Sequence, residues 1–377
     1  GWELPPQNSG GLGVACYHLC QHLADAGVAI DFVMPYKLPP EHTITFMDVY
    51  HTAADTTPFI GAYENWSEEL REKQQGYLQT VEKLVTTTNY DAIHAHDWLT
   101  FEAGVYAKQL TGKPLVAHVH STEFDRCGQT TGNPLAHEIE QTALMMADRI
   151  VAVSNATKQT LVERYNLPAH KIDVVYSAAD APIITQNDAN AYEYLSKMKS
   201  HGYKVVVSLG RLTIQKGLTH LLEAAKKAIS IDPKILFLIV GDGDQRDELV
   251  ALSAQLGISQ NIVFTGFLRG KAWRDAYAIG DMFVMSSVSE PYGLTALETT
   301  HTHNAVLLTK QSGVSEVLHN TLQFDFWDTA KLADYIVNVA QNDVLQNTLA
   351  ANAKQEVQQM SWRDTAAKLE YIYEHIG

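Results

Sequence analysis

Two glutamates eight positions apart, Glu290 and Glu298, stand in the run Ser289-Glu290-Pro291-Tyr292-Gly293-Leu294-Thr295-Ala296-Leu297-Glu298, directly after an apolar stretch. If a helix opens near Gly293, Glu290 lies in the loop before it and Glu298 one to two turns inside, so the two carboxylates meet different partners. Glu290 can accept hydrogen bonds from sugar hydroxyls and Glu298 from a ribose diol, while the N–H groups of Gly293, Leu294 and Thr295 meet phosphate. A second cluster follows Ser208-Leu209-Gly210, where Arg211 and Lys216 project from a loop at the carboxyl end of a predicted strand. Open α/β sheets bind ligands there, and a planar guanidinium beside a compact ammonium suits a departing diphosphate. A third, Gly10-Gly11-Leu12-Gly13, precedes a helix whose apolar positions Leu12, Cys16, Leu19 and Leu23 share one face and which closes at Gly27. Glycines there let backbone N–H groups approach a phosphate or a sugar. Each cluster also has a plainer reading: a solvated helix face, two solvated surface cations, and a turn that needs glycine.

The histidines come in pairs. His94 with His96, and His118 with His120, are two apart on predicted strands and therefore point the same way within each pair. Four imidazoles could bind zinc, but no cysteine or carboxylate joins them at ligand spacing, so no metal is expected. Asp97 has two readings: it orients an acceptor hydroxyl near His120, or it caps the helix that begins at Trp98. Cys127 has no base partner that can be named, which sets a reactive thiol aside.

Positioning these residues requires a scaffold of short apolar runs alternating with longer helix-period segments, the pattern of parallel sheets wrapped by helices. The class is α/β. Strands are expected at 28–34, 92–96, 115–120, 150–154 and 172–176, and again at 205–209, 235–240, 262–265, 283–286 and 306–309. Residues 177–203 are polar and mixed, with no clear strand. We therefore expect an N-terminal domain over 1–180, a linker over 181–203 and a C-terminal domain over 204–360. From 328 to 376 the chain reads as three helices, the last capped by Ser361 and packing back on the first domain as residues 361–377. The first glycine turn arrives after only eight residues, so the chain is expected to begin short of its natural start.

Composition narrows the partners. Twenty-eight Lys plus Arg against 43 Asp plus Glu give a net charge of −15 over 377 residues. That balance disfavours nucleic acid and anionic lipid, leaving a small or neutral partner. Apolar runs are far shorter than the ~20 residues a spanning helix needs, and three cysteines (Cys16, Cys20 and Cys127) make no disulfide framework. The expected compartment is the cytoplasm. The spacing of the glycine turn departs from the dinucleotide fingerprint and no acidic residue follows the next strand in the usual place, which discounts NAD.

Arg211 with Lys216, Glu290 with Glu298, and the glycine turn together resemble the retaining nucleotide-sugar glycosyltransferases of family 4, close relatives of glycogen and starch synthases. The resemblance runs over nearly the whole chain. It takes in His94-Ala95-His96-Asp97-Trp98, Val119-His120-Ser121-Thr122-Glu123-Phe124-Asp125, Val151-Ala152-Val153-Ser154 and Gly241-Asp242-Gly243. It implies the GT-B fold: two Rossmann-like, doubly wound parallel-sheet domains facing across a cleft, with the donor mostly on the second. It also implies that Arg211 and Lys216 stabilise the leaving diphosphate, Glu290 grips the donor sugar, Glu298 the ribose, and Phe267 with Leu268 the base. Gly10, Gly11, Gly241, Tyr292, Gly293, Leu294 and Thr295 complete the donor site, and His120, with Asp97, meets the transferred sugar. The implied reaction moves a hexose, glucose or a relative, from a UDP- or ADP-sugar to a saccharide acceptor such as an α-glucan. Front-face attack, with the phosphate taking the acceptor proton, then needs no cofactor and no metal. Asn8 stands where glycogen and starch synthases carry a lysine, which leaves the donor base open. Two other readings stand beside this one: a glucan phosphorylase of the same fold, for which no particular lysine is marked to hold pyridoxal phosphate, and a catalytically silent nucleotide-sugar sensor or subunit.

Overall fold

The computed structural model describes residues 1–8, 10–52, 67–128, 132–180 and 191–376. The chain divides into two compact units: Gly1–Arg126 with Thr130–Ser177 and Ser361–Gly377, and Cys127–Gln129 with Ala178–Met360.

In the first unit, β1 (Asp31–Met34) pairs in parallel with β2 (Asp48–His51). A four-stranded parallel sheet runs in the order β3 (Ile93–His96), β4 (Leu115–Val119), β5 (Arg149–Ala152) and β6 (Ile172–Val174). Every residue of β4 is buried, as a strand with helices on both faces requires. The Gly11–Asp25 helix turns Cys16, Leu19, Cys20 and Leu23 inward, and Trp98, Phe101, Ala103 and Ala107 do the same for the Trp98–Thr111 helix. The chain returns to this unit through the Trp362–Glu374 helix, capped by Ser361 accepting from the Asp364 N–H. Thr365 Oγ1 donates to the Tyr176 carbonyl oxygen at 2.9 Å, and Trp362 stacks on His18 with ring centroids 5.2 Å apart.

The second unit is a six-stranded parallel sheet of β7 (Lys204–Leu209), β8 (Ile235–Val240), β9 (Ile262–Phe264), β10 (Met282–Met285), β11 (Ala305–Thr309) and β12 (Leu322–Phe324). The order across the sheet is β12-β11-β10-β7-β8-β9. The chain first builds outward from β7 through β8 to β9, then crosses back to place β10 on the other side of β7. The carboxyl ends of β7 and β10 therefore form the topological switch point, where such sheets open a ligand crevice. β8, Ile-Leu-Phe-Leu-Ile-Val, is buried throughout and packs into a core with Leu221, Leu222, Phe324, Leu332 and Ile336.

Three elements depart from the sequence expectation. β2 falls within the segment 37–73, which carries no readable motif, and β12 is only three residues long. Within the expected linker, Glu193–Ser200 forms a helix held to the second unit, with Tyr192 OH donating to the Ala272 carbonyl oxygen and Lys199 Nζ to that of Ile279. Only Leu195 of that helix is buried, so its composition reads as loop. The rest of the expected linker, 181–190, lies outside the described residues.

Candidate active site

Two glycines press the ends of β7 and β8 together in the second unit. Gly241 has φ +137°, and a Cβ there would lie 1.8 Å from the Gly210 carbonyl oxygen. The Gly210 N–H donates to Val240 O at 3.0 Å and the Leu212 N–H to Asp242 O at 2.9 Å, which fixes the loop that carries Arg211. Gly241, expected as a donor-site residue, thus also shapes the Arg211 loop. A 3-10 turn, Ile214–Lys216, then ends at Gly217 in the left-handed region (φ +60°). A Cβ on Gly217 would lie 2.3 Å from the Ser286 carbonyl oxygen, so glycine brings the Lys216 turn against the end of β10. Ser286 Oγ seals the contact by donating to Lys216 O at 2.9 Å.

This packing brings the two sequence clusters together. Lys216 Nζ lies 2.5 Å from Glu290 Oε2, and Ser287 Oγ donates to the same oxygen at 2.9 Å. Glu290 is held as a bridge to the neighbouring loop: its N–H donates to Gln311 O at 3.1 Å and its carbonyl oxygen accepts from Gly313 N–H at 2.8 Å. Arg211, Lys216, Ser208, Ser286, Ser287 and Glu290 line one crevice at the switch point. An ammonium has three donors, so the bond to Glu290 leaves Lys216 others to offer an anion.

The helix after Glu290 spans Leu294–Thr300 and starts from Gly293 at φ +111°. Tyr292 is buried, and its carbonyl oxygen accepts from the Val314 N–H at 2.8 Å. Leu294 and Thr295 open the helix, half-buried. Glu298 Oε2 accepts from the Tyr277 hydroxyl at 2.6 Å, an interaction absent from the sequence reading because the two lie on different helices. Burial raises the pKa of the Glu298 carboxyl, with the tyrosine bond opposing it. Phe267 is 45% exposed with Arg269 over its ring at 4.8 Å, and Leu268 is half-buried beside it.

In the first unit, β3 and β4 pair His94 with Val116 and His96 with His118, which sets the four imidazoles in a ladder. His94 stacks on His96 and His118 on His120, with centroids 4.3 and 4.2 Å apart. Across the strands, His94 Nε2 meets His118 Nδ1 at 3.2 Å and His96 Nδ1 meets His120 Nε2 at 3.0 Å. Tyr373 closes one end on His94 Nδ1 at 2.5 Å. Desolvation lowers His94 and His120 to about 3 and holds His96 and His118 well below their ordinary value. The sequence reading found no cysteine near these rings; the structure supplies one. Cys16 shares a 4.8 Å sphere with His96 and His120, and His94, His96 and His118 share another. Two of the cross-strand pairs already stand at N–H···N hydrogen-bond distance, which occupies four of the eight ring nitrogens.

Of the two readings the sequence left open for Asp97, the side-chain helix cap is not formed. Asp97 stands at the N-cap of the Trp98–Thr111 helix at φ +58°, but its side chain makes no cap bond. Instead Oδ1 accepts from the N–H groups of His120 and Ser121 at 2.7 and 3.3 Å. At 3% exposure it braces the His120 turn, and desolvation pushes its carboxyl up to about 7. Gly10 caps the Gly11–Asp25 helix, with open space where its Cβ would be; Gly13 is the position that tolerates no side chain, at 2.5 Å from the Asn8 Cβ.

Comparison with known proteins decides the lineage. The Glycosyltransferase Family 4 description matches residues 9–181 and that of Glycosyl transferases group 1 residues 195–356. An uncharacterized glycosyltransferase of Methanocaldococcus jannaschii is 30% identical over 99% of this chain and 96% of its own. The chain belongs to the family 4 glycosyltransferases. Among other members of this glycosyltransferase lineage, the glycogen synthase of Mycobacterium tuberculosis is 23% identical over 99% of this chain and 92% of its own. The crystal structure of Anabaena HepE in complex with UDP and glucose covers 98% of this chain and 97% of its own at a TM-score of 0.72 and 17% identity. The fold is GT-B, a pair of Rossmann-like α/β domains. No helix among the described residues is long and apolar enough to cross a membrane.

Proposed function

We propose that this glycosyltransferase is a retaining hexosyltransferase that moves glucose or a related hexose from a nucleoside-diphosphate sugar to a saccharide acceptor, with an α-glucan as the acceptor class. The observation that carries the reading is the Lys216–Glu290 pair at the β7/β10 switch point, beside Arg211. In this reading the bond from the sugar C1 to the phosphate oxygen breaks as an acceptor oxygen bonds to C1 from the same face. The acceptor proton passes to the departing phosphate oxygen. Arg211 and Lys216 neutralise the charge that develops there, an effect worth about 3 kcal/mol per donor at comparable sites. Glu290, with both of its side-chain bonds on Oε2, turns Oε1 to the sugar hydroxyls. Glu298 takes the ribose and Phe267 with Leu268 the base; His120 meets the transferred hexose. With two side-chain cations on the diphosphate, the step requires no metal and no cofactor. A sensor would need donor binding alone, so turnover separates the two readings.

The test is release of nucleoside diphosphate from UDP-glucose, ADP-glucose and GDP-mannose, with and without glycogen or malto-oligosaccharides. Glucan-dependent release that falls about a hundredfold in Lys216→Ala and Glu290→Ala is expected. Binding of a donor with no turnover on any acceptor contradicts the transferase reading, and failure to bind any sugar nucleotide removes the donor site itself.

A further inference from the structure

The His120 turn is gripped from behind as well as by Asp97. Arg126 ends a single helical turn, Glu123–Arg126, and its side chain is only 7% exposed. Nε donates to Glu123 Oε2 at 2.9 Å, Nη2 to Glu140 Oε1, and Nη1 to the carbonyl oxygen of Ser121 at 3.1 Å. Glu140, 2% exposed on the Pro134–Met146 helix, uses its second oxygen to accept from the Tyr165 hydroxyl and, at 3.0 Å, from the Glu123 N–H. Tyr165 stands at the C-cap of the Asn155–Arg164 helix, and Glu123 Oε1 accepts from the Asn133 N–H at 2.6 Å. One buried cation thus sits among two carboxylates and a main-chain oxygen, with a tyrosine behind.

A buried ion cluster is a poor route to stability, because desolvation offsets much of the attraction. What a guanidinium fork does supply is direction, and this one ends on the carbonyl of the residue next to His120. We propose that Arg126, oriented by Glu140 and Tyr165, is a positioning residue that fixes the main chain of the His120–Ser121 turn and thereby the His120 imidazole. Only its consequence for turnover rests on the transferase reading; the clamp itself is a statement about the turn.

The two grips are linked electrically. The groups facing Asp97 are Arg126, Glu140, the amides of His120 and Ser121, and the Cys16 thiol from the Gly11–Asp25 helix. The Arg126 cation opposes the desolvation that favours a protonated Asp97. Without it Asp97 holds its proton to higher pH, and a neutral carboxyl is the weaker acceptor for the two amides. Losing the cation therefore loosens both grips, whereas a lysine keeps the charge and loses the fork.

The test uses the full chain carrying Arg126→Met, Arg126→Lys, Glu140→Gln or Tyr165→Phe. Amide hydrogen exchange is followed by mass spectrometry, alongside donor binding and the pH dependence of turnover. Exchange in residues 120–122 is expected to rise about tenfold in Arg126→Met, Arg126→Lys and Glu140→Gln, and less in Tyr165→Phe, with β5 unchanged. Donor affinity should stay within about twofold, because the residues assigned to the diphosphate, the ribose and the base lie in the second unit, while turnover at saturating donor falls about tenfold. The acidic limb of turnover should move up by about half a pH unit in Arg126→Met and stay in place in Arg126→Lys. Should Arg126→Met not fold, Glu140→Gln and Tyr165→Phe, which keep shape, carry the same exchange measurement. Unchanged exchange at 120–122, or a uniform rise over the whole first unit, would overturn the clamp. A parent protein that transfers no sugar would instead remove the transferase reading, and the exchange data would still judge the clamp.

Discussion

Lowering the pH from 7.5 to 5.5 should weaken the first unit by an amount that the imidazole ladder sets. In an unfolded chain His94, His96, His118 and His120 titrate near 6.5. In the folded unit all four are held neutral far below that value, so the unfolded state binds more protons as the pH falls. The contribution is fully present above about pH 7 and is lost progressively towards pH 3. Between 7.5 and 5.5 His94 and His120, each held at about 3, remove on the order of 1 kcal/mol apiece, and His96 and His118 act in the same direction. Asp97 works in the opposite sense. Folding raises it from 3.8 to about 7, so it takes up a proton in the native state over the same interval and returns about 2 kcal/mol. Four imidazoles outweigh the one carboxyl, and the net loss is on the order of a few kcal/mol, a large part of the 5–15 kcal/mol typical of a domain. Urea titrations at the two pH values, read by hydrogen exchange in β3 and β4, report this unit separately from the second. In the double variant His94→Gln, His118→Gln, two of the four titrating rings are gone and the ladder's share of the pH difference should shrink by roughly half. Equal stability at both pH values, or an undiminished difference in the double variant, would refute the reasoning.

Gly217→Ala places a methyl 2.3 Å from Ser286 O in a left-handed conformation; we expect at least 1–2 kcal/mol of lost stability, seen as a lower thermal midpoint, together with weaker donor binding as Lys216 moves from Glu290. Tyr277→Phe removes the donor that supports Glu298 and should lower stability by about 1–3 kcal/mol in urea titrations. Adding Glu298→Gln to that background should cost less than Glu298→Gln alone, since the shared bond is already gone, and strict additivity would contradict the pairing. Turnover should persist unchanged in excess EDTA, because Arg211 and Lys216 supply the charge that a metal would otherwise supply; loss restored by Mg²⁺ or Mn²⁺ contradicts this.

The long apolar strands of the second unit were legible because β8 and β10 are continuous hydrophobic runs bounded by glycine or polar turns. The placement of Glu290 before a helix and Glu298 within it could be read from Gly293 alone, since only glycine comfortably takes that φ. β2, Asp-Val-Tyr-His, sets two adjacent apolar residues between polar ends and shows no alternation, and β12 is shorter still. Contacts between distant positions left no trace. Cys16 reaches the histidines from eighty positions upstream, and the Arg126 cluster draws on Glu123, Glu140 and Tyr165 from three separate elements. Asp97 carried two readings because its position before a helix is a cap signal; at φ +58° its carboxylate instead points across to the turn after β4. The lysine–glutamate pair lies between these extremes, for each residue stood out by its neighbours while the pairing required β10 to fold back beside β7.

The central claim is hexose transfer with retention at the crevice that Lys216, Glu290 and Arg211 line. The most direct test is proton NMR of the product formed from α-linked UDP-[¹³C]glucose, or the ADP analogue if preferred, on maltohexaose. The account predicts a new α-linked glucosyl residue at the non-reducing end, formed at a rate about a hundredfold lower in Lys216→Ala. A β-linked product, or free glucose with an unextended acceptor, would contradict it.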